Sequence, residues 1–184
     1  FWLDSHPYKR NDKKSMNTFF TPMLCLEREL MLKSDAVRAN SKAIVYGIEE
    51  RYRIQIPKSA VKLVPHGMAP AVGALEKKAN SGIEILFVGR LELRKGIDIL
   101  LQALPLVFRA IPKVKVRIIG SNSILNSNGV TFMDQFKSEH SGSDWLNKVS
   151  FEGKVDQDIL LNAYRSCDIF VAPSRFESFG LIFL

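Results

Sequence analysis

From residue 83 onward the chain alternates short, continuous apolar runs with longer segments whose apolar residues recur at helical spacing, and this alternation restricts the fold more than any other feature. Ile83, Ile85, Leu86, Phe87 and Val88 form the first run. It lacks a sustained polar alternation, as expected of a strand covered on both faces. The spacing predicts a helix over 96–109, with Ile97, Leu100, Leu101, Leu104 and Phe108 on one inner face. Pro105 lies inside that pattern and is expected to kink the helix or shift its boundary. A strand at 114–119, a helix near 132–139, a strand at 149–151, a helix over 157–165 and a strand at 169–172 complete the series. Strands separated by helices are joined by right-handed crossovers, so the expected fold class is α/β with an open parallel sheet covered on both sides.

The first third reads differently. Residues 1–20 are polar and carry Lys9, Arg10, Lys13 and Lys14, a solvated loop or the approach to a helix. A helix is predicted over 23–33, with Leu24, Leu26, Leu30 and Met31 inward and Glu27 and Glu29 toward water. A short strand at 36–39 comes next, then a helix capped by Ser41 and running to residue 52, then a buried strand at 61–64 ending at Pro65. Pro70, Gly73 and Gly82 give the next stretch linker composition. The expected division is one region over 1–67, a linker over 68–82 and a second region over 83–184.

Apolar residues make up 46% and charged residues 24% of the chain, which excludes a disordered or fibrous class. No run of about 18 apolar residues and no basic-then-apolar leader occurs, so a cytoplasmic chain is expected. Cys25 and Cys167 each lie in an apolar segment and read as reduced core residues rather than a disulfide framework or zinc cluster. The net charge of +7 would steer nucleic acid, anionic lipid or a phosphate-bearing ligand alike. The basic residues are spread without aromatic interleaving, so no nucleic-acid partner is expected, while peripheral contact with an inner membrane face stays open. Asp156-Gln157-Asp158 imitates a metal-binding carboxylate pair, but it directly precedes a helical pattern and reads as a cap. No metal is expected.

Ligands of open parallel sheets sit beyond the carboxyl ends of the strands. Three segments end there: 89–96, 120–122 and 173–180. The first places Arg90, Arg94 and Lys95 around the start of a helix whose N-terminus is already partly positive. A bound diphosphate would resolve that conflict, and extension of all three side chains into water is the competing reading. In the third, Ser174 and Glu177 have the spacing of a capping box, while Glu177 could equally accept hydrogen bonds from sugar hydroxyls, with Gly180 allowing close backbone approach.

The order Gly89-Arg90 with Lys95-Gly96, Phe151-Glu152-Gly153-Lys154-Val155, Tyr164 to Asp168, and Pro173-Ser174 to Glu177-Ser178-Phe179-Gly180 resembles the family-four retaining glycosyltransferases of GT-B fold. The resemblance extends from about residue 23 to the end, since Ser34-Asp35 to Ser41 and Val64-Pro65-His66-Gly67 look like the close of that family's N-terminal lobe. It implies that 83–184 is the first part of a Rossmann-like donor lobe, incomplete here, and that 1–67 is the end of the acceptor lobe. It further implies transfer of a glycosyl group from a nucleotide-diphosphate sugar to an unidentified sugar, lipid-linked or small-molecule acceptor, with retention and without a cofactor. Arg90 and Lys95 would hold the diphosphate and stabilise the leaving group, and Glu177 would contact the donor sugar. Gly89, Gly120, Val155, Ser178, Phe179 and Gly180 would line the donor site. His6 matches either a histidine set against the donor sugar or an ordinary loop histidine. The family's second glutamate, eight positions after the first, would fall one residue past Leu184, so the 184 residues alone are expected to be an inactive piece of a longer protein. A non-catalytic remnant or nucleotide-binding module is the competing reading. Ser121 and Asn122 stand where the family often has a further glycine.

Overall fold

A computed structural model describes residues 12–67 and 82–183. They fall into two compact units, 82–176 in one and 12–67 with 177–183 in the other.

The larger unit is a 4-stranded parallel sheet in which strands 149–153, 115–119, 84–88 and 169–170 lie side by side in that order. Its strands are β3 (Glu84–Val88), β4 (Lys115–Ile119), β5 (Val149–Gly153) and β6 (Ile169–Phe170). β3 and β4 pair in register from Glu84 with Lys115 to Val88 with Ile119, and β4 continues onto β5 with a shift between Ile118 and Ile119. Successive residues of β3 serve opposite faces. Ile85 and Phe87 join Val116, Ile118 and Val149 beneath the helices α3 (Ile97–Ala110) and α4 (Phe132–Glu139), whereas Leu86 and Ile119 meet Ala163 of α5 (Gln157–Ser166). This explains the unbroken apolar run of β3 from Ile85 to Val88, whose residues are covered on both faces. The predicted stripe of α3 is the buried one, Ile97, Leu100, Leu101, Leu104 and Phe108, each contributing about 1.5–3 kcal/mol. Phe108 also stacks on Trp145, ring centroids 4.9 Å apart.

Pro105 does not divide α3, which runs through it to Ala110. The buried residues before and after it, Leu104 and Phe108, hold the helix against the sheet and outweigh the one hydrogen bond that proline removes. β6 is shorter than the predicted 169–172. It pairs only with β3, one further ladder bond runs from the Val171 amide to Leu86, and Ile169 is exposed.

The smaller unit holds α1 (Thr21–Lys33), entered through a turn at Lys13–Ser15 and a π-helical stretch at Met16–Phe20. Next come β1 (Val37–Ala39), α2 (Lys42–Tyr52) and β2 (Val61–Leu63), with β1 and β2 pairing in parallel. Ser41 caps α2 as expected, its hydroxyl accepting from the Ile44 amide at 3.3 Å. α1 corrects the sequence reading. Its more covered residues are Leu24, Glu27, Arg28 and Met31, while Leu26, Leu30 and Cys25 face outward. Glu27 turns inward because the Tyr52 hydroxyl donates to its carboxylate. Burial and that bond push the Tyr52 phenol up to about 12. Cys167 is half-buried beside α5 and β6.

Candidate functional site

All four strands of the larger sheet run the same way, so the turns after β3, β4 and β5 leave at one edge, where backbone bonds stitch them together. The Gly89 amide donates to Ile119 at 2.9 Å, Gly120 to Gly153 at 2.7 Å, and Leu91 to Ser121 at 2.9 Å. Gly120 sits at φ 145°, where a Cβ would run into the carbonyl of Gly89. Only glycine lets the turns after β3 and β4 approach so closely. The aliphatic stem of Lys95 crosses Gly89, its Cγ 3.5 Å from where a Cβ would stand. Arg90 follows directly, its side chain 55% exposed. The structure therefore gathers Gly89, Arg90, Lys95 and Gly120 at the carboxyl edge of the sheet.

A carboxylate that the sequence reading passed over lies inside this cluster. Glu92 is fully buried; its Oε1 accepts a hydrogen bond from Arg94 Nη2 at 2.9 Å and forms an ion pair with Arg90 Nη2 at 3.0 Å. Its Oε2 has no hydrogen-bond partner among the described residues. In sequence, Glu92 between two arginines looks like a solvated charge; the one available signal was its place two residues from each. Arg94 likewise does not extend into water. It donates to the carbonyl of Phe176 at 3.2 Å, and its own carbonyl accepts from the Arg175 amide at 2.9 Å. Gly96, at φ 70°, packs so tightly on Pro173 that a Cβ would collide with that carbonyl. The turn 89–96 and the segment 173–176 are thus clasped together.

That clasp disposes of the capping-box reading. Among the described residues no α-helix begins near Ser174; the segment 173–180 is irregular and leads only to a 3₁₀ turn at Leu181–Phe183. The Phe176 carbonyl, which a helix would use internally, accepts from Arg94 instead.

Glu177, Ser178, Phe179 and Gly180 belong to the other unit. There the Ser178 carbonyl accepts from the Ser41 hydroxyl at 2.7 Å, and Phe179 meets His66 edge to face with centroids 5.4 Å apart. Val155 packs with Leu86, Ile119 and Ala163, an apolar core position. His6 lies outside the described residues. Asp156 stands at the N-cap of α5 without a side-chain cap bond, its carbonyl accepting from Leu160. Asn122 donates to the Thr131 hydroxyl at 2.8 Å and so braces the start of α4. No cluster of three metal-ligating side chains occurs among the described residues, nor does any helix long and apolar enough to cross a membrane.

Chemically, the turn 89–96 carries three cations and one carboxylate, a net of two positive charges beside closely approaching backbone. Such an arrangement suits a ligand with two adjacent negative groups.

The fold is shared with solved GT-B glycosyltransferases. Anabaena HepE in complex with UDP-glucose matches with a TM-score of 0.63 at 20% identity, over 86% of this chain and 44% of that one. Mannosylfructose-phosphate synthase of Agrobacterium fabrum is 29% identical over 138 residues, 74% of this chain and 30% of that protein. D-inositol 3-phosphate glycosyltransferase of Mycolicibacterium vanbaalenii is 34% identical over 139 residues, 71% of this chain and 30% of that protein. The chain thus spans about a third of the length of the curated relatives it matches. Residues 74–184 match the family described as glycosyl transferases group 1, and the chain belongs to that family.

Proposed function

We propose that the complete protein transfers a glycosyl group from a nucleoside-diphosphate sugar to an acceptor with retention of anomeric configuration. Residues 83–184 then supply the first part of the donor lobe, and 1–67 the end of the acceptor lobe. The observation that carries the reading is the gathering of Arg90 and Lys95 at the carboxyl edge of the parallel sheet, over Gly89 and beside Gly120. The UDP-glucose bound to HepE, a protein of the same fold, supports a donor of this class.

Arg90 and Lys95 hold the donor diphosphate and stabilise the charge that develops on it as the glycosidic bond breaks. Gly89 and Gly120 let the phosphates approach the backbone. Glu177 accepts hydrogen bonds from donor sugar hydroxyls, with the 178–180 backbone beside it. Retention results from same-face attack through an oxocarbenium-like state, the departing phosphate taking the acceptor proton. No nucleophilic side chain and no cofactor has a part in this scheme.

The test is nucleoside diphosphate release by the full-length protein from UDP-, GDP- and ADP-sugars in the presence of sugar and lipid-linked acceptors, with NMR of the product. An α-linked product from an α-linked donor is expected. A β-linked product would overturn retention, and nucleotide binding without turnover of any donor would make the protein a binding module.

A further inference from the structure

Glu92 is the fully buried charged side chain of the described residues, and the scheme above gives it no task. Burying a carboxylate is costly unless it is paired, and here the pairing is specific. One oxygen, Oε1, takes both Arg90 and Arg94, at 3.0 and 2.9 Å. The two guanidinium groups therefore cannot swing independently. Arg94 is anchored at its far side by the Phe176 carbonyl, so Glu92 is in turn held by a fixed group. Arg90 holds Nη2 against this buried oxygen in an ion pair while its side chain is 55% exposed, so the rest of its fork stays open to solvent. An arginine has many rotamers, and a guanidinium presents its donors in a rigid plane, so fixing one nitrogen aims the others.

We propose that Glu92 is a positioning residue of the diphosphate site: its buried carboxylate orients Arg90 toward the donor phosphates and, through Arg94, ties that site to the carbonyl of Phe176. The proposal rests on the donor-diphosphate reading of Arg90 and Lys95. It makes a signed claim that bulk electrostatics opposes. Neutralising Glu92 raises the net charge of the turn from two to three, so attraction alone would tighten diphosphate binding. Loss of orientation weakens it.

The experiment is calorimetric titration of the full-length protein with UDP and UMP, GDP and GMP, and ADP and AMP, for wild type, Glu92→Gln, Arg90→Ala and the double variant. Glu92→Gln is expected to weaken the preferred diphosphate by about 10- to 100-fold, the size of a lost charge-assisted contact, and the matching monophosphate by no more than about threefold. Acting through Arg90, it is expected to cost nothing further in the Arg90→Ala background. Unchanged or tighter diphosphate binding by Glu92→Gln overturns the proposal, as does an equal loss for both nucleotides, provided Arg90→Ala weakens the diphosphate. If Arg90→Ala leaves diphosphate binding at the wild-type level, the diphosphate reading itself falls. Glu92→Asp keeps the buried charge and serves if the glutamine variant does not fold: its shorter reach draws Arg90 inward and lowers the preference for diphosphate, and an unaltered preference overturns the positioning role.

Discussion

Arg175 forks onto Asp98, Nη1 to Oδ1 and Nη2 to Oδ2, both at 2.7 Å, and the same guanidinium reaches the carbonyl of Leu93. The fork joins the segment after β6 to the first turn of α3. Both side chains keep some solvent contact, so the pair adds only about 1 kcal/mol or less to global stability. Its effect is local. Arg175→Ala is expected to leave the unfolding midpoint almost unchanged while hydrogen exchange of the residue 175 amide, bonded to Arg94, accelerates. Unaltered exchange would show that the clasp is held by other contacts.

Gly96→Ala attacks the same clasp from the other side. The substitution puts a side chain at φ 70° and drives its Cβ into the Pro173 carbonyl. A loss of about 2 kcal/mol or more is expected in urea unfolding, from left-handed strain and the clash together. A variant as stable as wild type would mean that the two turns part without cost.

Arg117, on β4, bonds Glu152 of β5 at 2.7 and 3.0 Å and Glu84 of β3 at 3.3 Å. Its hydrogen bonds hold the Glu152 carboxyl below the usual range, against a smaller opposing effect of burial. A carboxyl whose pKa is depressed on folding stabilises the native state above its unfolded value of about 4.3, and that contribution fades as pH falls through the lower native value. The stability advantage of wild type over Glu152→Gln is therefore expected to be full near neutral pH and to shrink as pH drops below about 4. Urea titrations across that range check it. An advantage that grows on acidification would contradict the assignment.

What the sequence disclosed and what it hid divide along a physical line. The strands at Glu84–Val88 and Lys115–Ile119 and the buried stripe of α3 were legible because burial on both faces, or on one helical face, imposes a period. Ser41 was legible because a cap needs only local geometry. The inward face of α1 was not, because Glu27 finds its partner in Tyr52, 25 residues away in sequence. Glu92 and Arg94 were hidden for the same reason. A charged run looks solvated until the chain returns, and it is the segment ending at Phe176 that encloses them. Ser174 and Glu177 illustrate the converse, a local spacing with no α-helix behind it, since the Phe176 carbonyl that a helix would use accepts from Arg94.

The most direct test of the donor-diphosphate assignment is the turnover of nucleoside-diphosphate sugar by full-length Arg90→Ala and Lys95→Ala proteins. Each removes a cation that stabilises the leaving group, and losses of about 100-fold or more in kcat are expected, with the unfolding midpoint of Lys95→Ala within error of wild type and that of Arg90→Ala lowered by the loss of a partner for buried Glu92. Wild-type rates in both variants would contradict the account.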